Sequence, residues 1–152
     1  MGIVARLDPQ PFDPAAELQA LLRDAAGNGA VVSFVGLARP RSKAGEPIDR
    51  LVLDHHPRLT QKSLDEIATD GAERFAAGHV RVVHRCGEVA PGDPIVFAGA
   101  ASVHRRAAFD AADYLMDRLK TEAVFWKREE GPTGRQWIEP TEADHADRGR
   151  WE

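Results

Sequence analysis

Two β-forming runs, HVRVVHRCGEV (79–89) and PIVFAGAAS (94–102), are joined by only four residues, APGD. Pro-Gly-Asp is a turn signal, because Pro presets φ, Gly supplies positive φ and Asp bonds the local backbone. A link this short leaves no room for a crossover helix, so the two runs are expected to pair antiparallel. The same holds near the C-terminal end, where AVFWKREE (123–130) and RQWIE (135–139) flank GPTG and read as a second hairpin. The remaining segments must pack around antiparallel strands.

IVARL (3–7) is a short strand candidate. Asp13 before Pro14 signals a helix start, with Asp as N-cap and Pro in the first turn. Leu18, Leu21, Leu22 and Ala25 form a helical stripe that Gly27 and Gly29 end. GAVVSFVGLA (29–38) reads as a mostly buried strand, and IDRLVLDHH (48–56) as a strand pairing with it. A helix follows Pro57, with Thr60 as its N-cap and a stripe of Leu64, Ile67, Ala68, Gly71 and Phe75. RPRSKAGEP (39–47) has cations, prolines and a glycine but no apolar anchor, so a mobile loop is expected. It suits either a basic flap over an anion or a solvated hairpin loop, and Arg39 is the member best placed to be fixed. Antiparallel hairpins with helices on one face describe an α+β sandwich. No repeat or linker interrupts the chain, so residues 1–152 are expected to form one domain, with a polar, loosely ordered tail over 141–152.

The formal net charge of −4 does not favour nonspecific nucleic-acid binding. No run approaches the ~20 apolar residues of a membrane helix, and MGIVARLDPQ lacks the apolar core of a signal peptide. The single Cys86 cannot form an internal disulfide, which suits a reducing cytoplasm. Cys86 suits either a persulfide carrier, its thiolate favoured by Arg85, or a small buried strand residue. Six histidines raise the question of a metal. His55 and His56 should point to opposite faces, and no second pair joins His84 and Cys86 to complete a zinc site, so no metal is expected.

The densest chemistry lies in HRRAAFDAADYLMDRLKTEAVFWKR (104–128). Phe109, Ala112, Met116 and Leu119 share one face of a helix. His104, Arg105 and Arg106 stand at its start, where cations oppose the helix dipole unless an anion visits. Lys120 closes it, with Arg118, Lys127 and Arg128 close in sequence. Clustered positive charge can free an amine as base or nucleophile, while Asp117, Glu122, Glu129 and Glu130 work against that. Phe125 and Trp126 either wall a pocket or fill the core.

FVGLAR (34–39), HRCGEVAPGD (84–93), VHRRAAF (103–109) and LKTEAVFWKRE (119–129), in this order and spacing, resemble the catalytic (large) subunit of molybdopterin synthase. The resemblance runs from about Pro11 to Trp137. It implies an α/β-hammerhead-like fold with a small extra β subdomain, and a homodimer within a heterotetramer. It implies a sulfurtransferase acting on cyclic pyranopterin monophosphate (precursor Z). Two sulfurs would come from a small ubiquitin-like carrier subunit ending in a Gly-Gly thiocarboxylate, with no cofactor of the enzyme's own. Carried over by position, Lys120 and Lys127 are implied as catalytic. Leu37, Ala38, Arg39, His104, Arg105, Arg128 and Glu129 are implied, with both lysines, in substrate binding. On one continuous helix Arg105 and Lys120 are separated by ~22 Å, so placing both in one pocket implies a site shared between two copies. Two readings of other classes stay open: a non-catalytic phosphate- or nucleotide-binding module, and a cysteine sulfurtransferase using Cys86.

Overall fold

The computed structural model describes residues 2–152. Among them the elements run β1 (Gly2–Asp8), α1 (Pro14–Asp24), β2 (Ala30–Leu37), β3 (Arg50–His55), α2 (Pro57–Arg74), β4 (His79–Arg85), β5 (Gly87–Val89), β6 (Pro94–Ser102), α3 (Arg105–Glu122), β7 (Phe125–Gly131), β8 (Gly134–Ile138) and α4 (Glu142–Gly149). The fold is α+β, built on two four-stranded sheets.

The first sheet has the order β1-β4-β6-β2. β4 and β6 pair antiparallel, with His84 opposite Val96, although APGD itself joins β6 to β5 and the connection from β4 is residues 86–93. β2 is antiparallel to β6, and β1 adds the one parallel pairing, against β4. Helices cover both faces of this sheet, correcting the expectation of one. α2 and α3 lay Leu64, Ile67, Leu115 and Leu119 over Val80, Val82, Val96, Ala98 and Ala100. α1 lays Leu21 and Ala25 over Val83, Phe97 and Ala101 on the other side. The reason is legible in β6, which is apolar or glycine throughout Ile95 to Ala101, and in β4, where the adjacent Val82 and Val83 enter the two opposite cores, so neither face can meet water.

The second, smaller sheet, β5-β3-β7-β8, is antiparallel throughout and is the extra β unit. β3 therefore pairs with β5 and β7, not with β2. Residues 39–47 form a hydrogen-bonded hairpin instead of an unanchored loop: Arg41 bridges Pro47, and Ser42 N–H donates to Glu46 O at 2.9 Å. Ile48 N–H then donates to Pro40 O and Asp49 N–H to Glu130 O, which steers β3 onto β7. The run 79–89 is two strands, not one. It breaks at Cys86, and Gly87 adopts φ 79°, a left-handed conformation that favours glycine. That turn carries the chain from one sheet to the other.

Four further expectations change. β2 is an edge strand and leaves Phe34, Val35 and Leu37 exposed instead of mostly buried. The N-cap of α2 is His56, whose Nδ1 accepts from Leu59 N–H. Thr60 is buried, and its hydroxyl donates to Val124 O at 2.6 Å. α3 buries Ala108, Ala111, Ala112, Leu115 and Leu119 but leaves Phe109 exposed. The C-terminal tail is the helix α4, docked along α3. Arg150 pairs with Asp113 and Asp117, Arg148 with Glu122, and the Trp151 indole donates to Asp117. Trp151 also meets Phe75 and Tyr114 edge-on, at 5.4 and 5.5 Å between centroids. Its polar composition hid this helix because it is held by ion pairs and one aromatic rather than by an apolar stripe.

Candidate active site

Strand alternation sets the site. Along β7, Phe125, Lys127 and Glu129 face the cleft, while Trp126, Arg128 and Glu130 face away. The last turn of α3 adds Lys120, the end of β2 adds Leu37, and the 39–47 hairpin adds Arg39 and Lys43. Leu51 and Leu53 of β3, with Ile95 and Ile138, supply apolar walls. Thr141 and Asp144 close one side from the start of α4. The result is an open cleft of about 750 Å³. A second cleft of about 490 Å³, reaching toward Thr121, Ala123, Phe125 and Pro140, shares Lys120, Lys127, Ile138 and Glu139 with it. At the end of β2 the ladder slips between Gly36 and Leu37. A Cβ on Gly36 would lie 2.9 Å from Val96 Cγ1, so the close approach needs glycine.

Charge in the cleft is unevenly compensated. Arg39 donates to Glu129 through Nε at 2.7 Å and Nη2 at 3.1 Å, a bidentate pair with a buried carboxylate. Arg39 is thus fixed, as expected for the strand-end member of its loop. Lys127 is half-buried. Burial pushes its amine down to about 8, and the neighbouring Lys120 ammonium pushes the same way, partly opposed by Asp144. Burial alone would raise the Asp144 carboxyl. Hydrogen bonds from Thr141 and the charges of Lys120 and Lys127 outweigh it and hold the group below the usual range. Behind the cleft, His84 stacks on Phe125 at 4.3 Å and makes a 2.8 Å hydrogen bond through Nδ1 to Arg85 O. Burial, with a smaller push from Lys127, lowers its pKa to about 3, so the ring is neutral. One amine that titrates near neutrality, beside a second exposed lysine and a fixed arginine, can bind an anion and pass a proton.

The family model described as MoaE protein matches residues 7–122. The chain belongs to the MoaE family. It is 44% identical over 150 residues to the molybdopterin synthase catalytic subunit of Caulobacter vibrioides, covering 99% of this chain and 98% of that protein. Its structure is similar to the molybdopterin biosynthesis MoaE protein from Burkholderia ambifaria MC40-6, with TM-score 0.82 and 36% identity over 99% of this chain and 98% of that one. It also resembles in fold a chain from the protein-protein complex of subunits 1 and 2 of molybdopterin-converting factor from Helicobacter pylori 26695. There the TM-score is 0.70 at 20% identity, covering 90% of this chain and 88% of that one.

Within this MoaE fold, the structure gathers Leu37, Arg39, Lys120, Lys127 and Glu129 around one cleft. It does not bring the other expected residues there. Ala38 is buried, and its backbone is tied to the APGD turn, donating to Asp93 O and accepting from Gly92 N–H. Arg128 faces the opposite side of β7, paired with Asp54 and Glu130 and stacked 5.5 Å over Trp137. His104 and Arg105 are exposed at the far end of α3, which runs unbroken to Glu122. Glu129 enters the site as the partner of Arg39. Phe125 packs inward and Trp126 is exposed, so the two aromatics divide between wall and surface. Cys86 is buried, and burial pushes its thiol up, the reverse of a reactive thiolate. Among the described residues no cluster of three or more His, Cys, Asp or Glu side chains could hold a metal. Among the described residues no helix is long and apolar enough to cross a membrane. The sequence reading missed Asp144. Its signal was present as T-x-x-D at 141–144, the spacing of a helix-capping box.

Proposed function

We propose that this chain is the catalytic subunit of a molybdopterin synthase, converting cyclic pyranopterin monophosphate to molybdopterin. The two sulfurs come from the C-terminal thiocarboxylate of a small ubiquitin-like partner. The observation that carries this reading is the pair of clefts meeting at Lys120 and Lys127. A reaction between a phosphorylated pterin and a protein tail needs two approaches to one reactive centre. Both ligands are anionic, and Lys127, Lys43 and Arg39 line the larger approach. Lys120, exposed at the helix end, serves as acid/base or transient covalent group. Lys127 and Arg39 hold the phosphate and offset charge as its ring opens.

His104 and Arg105 enter this scheme from a second copy. The uninterrupted α3 keeps them ~22 Å from Lys120 in one chain. Val103 beside them and Phe109 on α3 are exposed, and the edge strand β2 exposes Phe34 and Val35, apolar residues that suit burial against a like surface. Two copies with two small partners make a heterotetramer, working in the cytoplasm.

The test is incubation with the cyclic pterin phosphate and a thiocarboxylated small subunit, assaying for the dithiolene. Product is expected. Tight binding of both ligands without product would instead identify a binding module.

A further inference from the structure

α4 is fastened to α3 outside the cleft, yet its first turn delivers a carboxylate into it. Thr141 N–H donates to Asp144 Oδ2 at 2.8 Å, and Asp144 N–H donates to Thr141 Oγ1 at 3.1 Å. This reciprocal cap fixes the side chain against the helix start. Arg148, Arg150 and Trp151 clamp the other end of the segment to Glu122, Asp113 and Asp117. Asp144 is therefore held over the lysine pair by both ends of its own helix.

We propose that Asp144 is a positioning residue for the two lysines. Its carboxylate is an internal counter-ion, standing where the charge of an anionic ligand acts once that ligand binds. The inference rests on reading the cleft as an anion site. Every element around Lys127 contributes a group: Lys120 from α3, His84 from β4, Glu129 on β7 itself, Arg39 and Lys43 from the hairpin, Glu139 after β8, and Asp144 from α4. His84 is neutral and Glu129 is engaged by Arg39. Asp144 is the carboxylate whose field opposes the burial and like-charge repulsion of Lys127.

Removing that charge has two opposite consequences. Lys127 loses support for its ammonium form, so its titration moves to lower pH. At a pH where both lysines remain charged, an incoming anion no longer competes with a carboxylate and binds more tightly. Merely capping α4 would do neither.

Asp144→Asn separates these cases, because its amide oxygen still accepts from Thr141 N–H while the charge is gone. The Lys127 midpoint, followed by NMR of ε-13C-labelled lysine, is expected to fall by about one pH unit. Inorganic pyrophosphate, titrated calorimetrically at pH 6.5, is expected to bind roughly three- to tenfold more tightly. Asp144→Glu should restore both values. An unchanged midpoint with unchanged pyrophosphate affinity would overturn the proposal and leave Asp144 as a cap alone. Neither readout uses a sulfur donor or turnover, so failure of the sulfur-transfer reading would not disturb either result. If neither protein binds pyrophosphate, the anion-site reading fails, and the midpoint still decides whether Asp144 acts on Lys127.

Discussion

The two ends of α3 carry similar cations in very different settings. At its C-terminal end, Lys120 meets Lys127, Arg39 and Asp144 across a cleft assembled from seven elements and the loops between them. At its N-terminal end, His104, Arg105 and Arg106 are exposed, with no acidic residue in the first turn and no side-chain cap. The first end finds counter-charges, Glu129 and Asp144, within one chain. The second displays its charges beside exposed Val103 and Phe109, the surface on which the proposed second copy would lie. A cation's neighbours in space, not its type, decide whether it is part of a site.

The strongest way to break this contrast is to disable each end separately. Lys120→Ala is expected to lower kcat by on the order of 10²–10⁴-fold with the fold intact. Arg105→Ala should also inactivate. Mixing the two inactive proteins under subunit exchange should restore activity, because one pocket of each mixed dimer holds both wild-type residues. No recovery at any ratio would confine the site to one chain and leave the N-terminal end as surface.

A smaller effect is expected at Lys127. Its amine is held near 8 in the folded chain against 10.5 as its ordinary value. Between those values the unfolded chain keeps a proton that the folded chain has released, so stability rises with pH through that window. Lys127→Met should remove the cost of the half-buried ammonium, stabilising the protein at pH 7 by about 1–3 kcal/mol and flattening that rise. It should also raise KM about tenfold, and wild-type KM should climb as pH passes 8. Denaturant melts from pH 6 to 10 and steady-state kinetics read both. A destabilised Met variant would show that Lys127 is held by attractions outweighing its burial.

The smallest effect belongs where neither end is touched. Cys86→Ser should leave sulfur transfer within about twofold of wild type, since the thiol is buried, outside the cleft and pushed away from its thiolate. Loss of activity in the folded variant would move the sulfur from the partner to this chain.

Local chemistry in the sequence determined much of this molecule. The GPTG link imposed an antiparallel pair, and Asp13-Pro14 started α1 where the structure starts it. The motif order placed the chain in its family and, by that resemblance, named Leu37, Arg39, Lys120, Lys127 and Glu129, residues that line one cleft in the structure. The turn, the cap and the period-two alternation along β7 are effects of neighbours in the chain, whereas gathering those five residues took the fold. Other features were settled only by packing. β3 left β2 for β7 because Ile48 N–H closed the hairpin on Pro40 O and Asp49 N–H found Glu130 O on β7, a pairing that no local pattern encodes. The polar segment after Pro140 became α4 because Arg148, Arg150 and Trp151 found partners on α3, more than 25 residues away in the chain. Arg128 turned from the cleft because strand alternation lets only one of two adjacent cations face it, and Asp54 and Glu130 hold the other. Composition can list such charges, but which of them share a low-dielectric space depends on long-range contacts that form only in the folded chain.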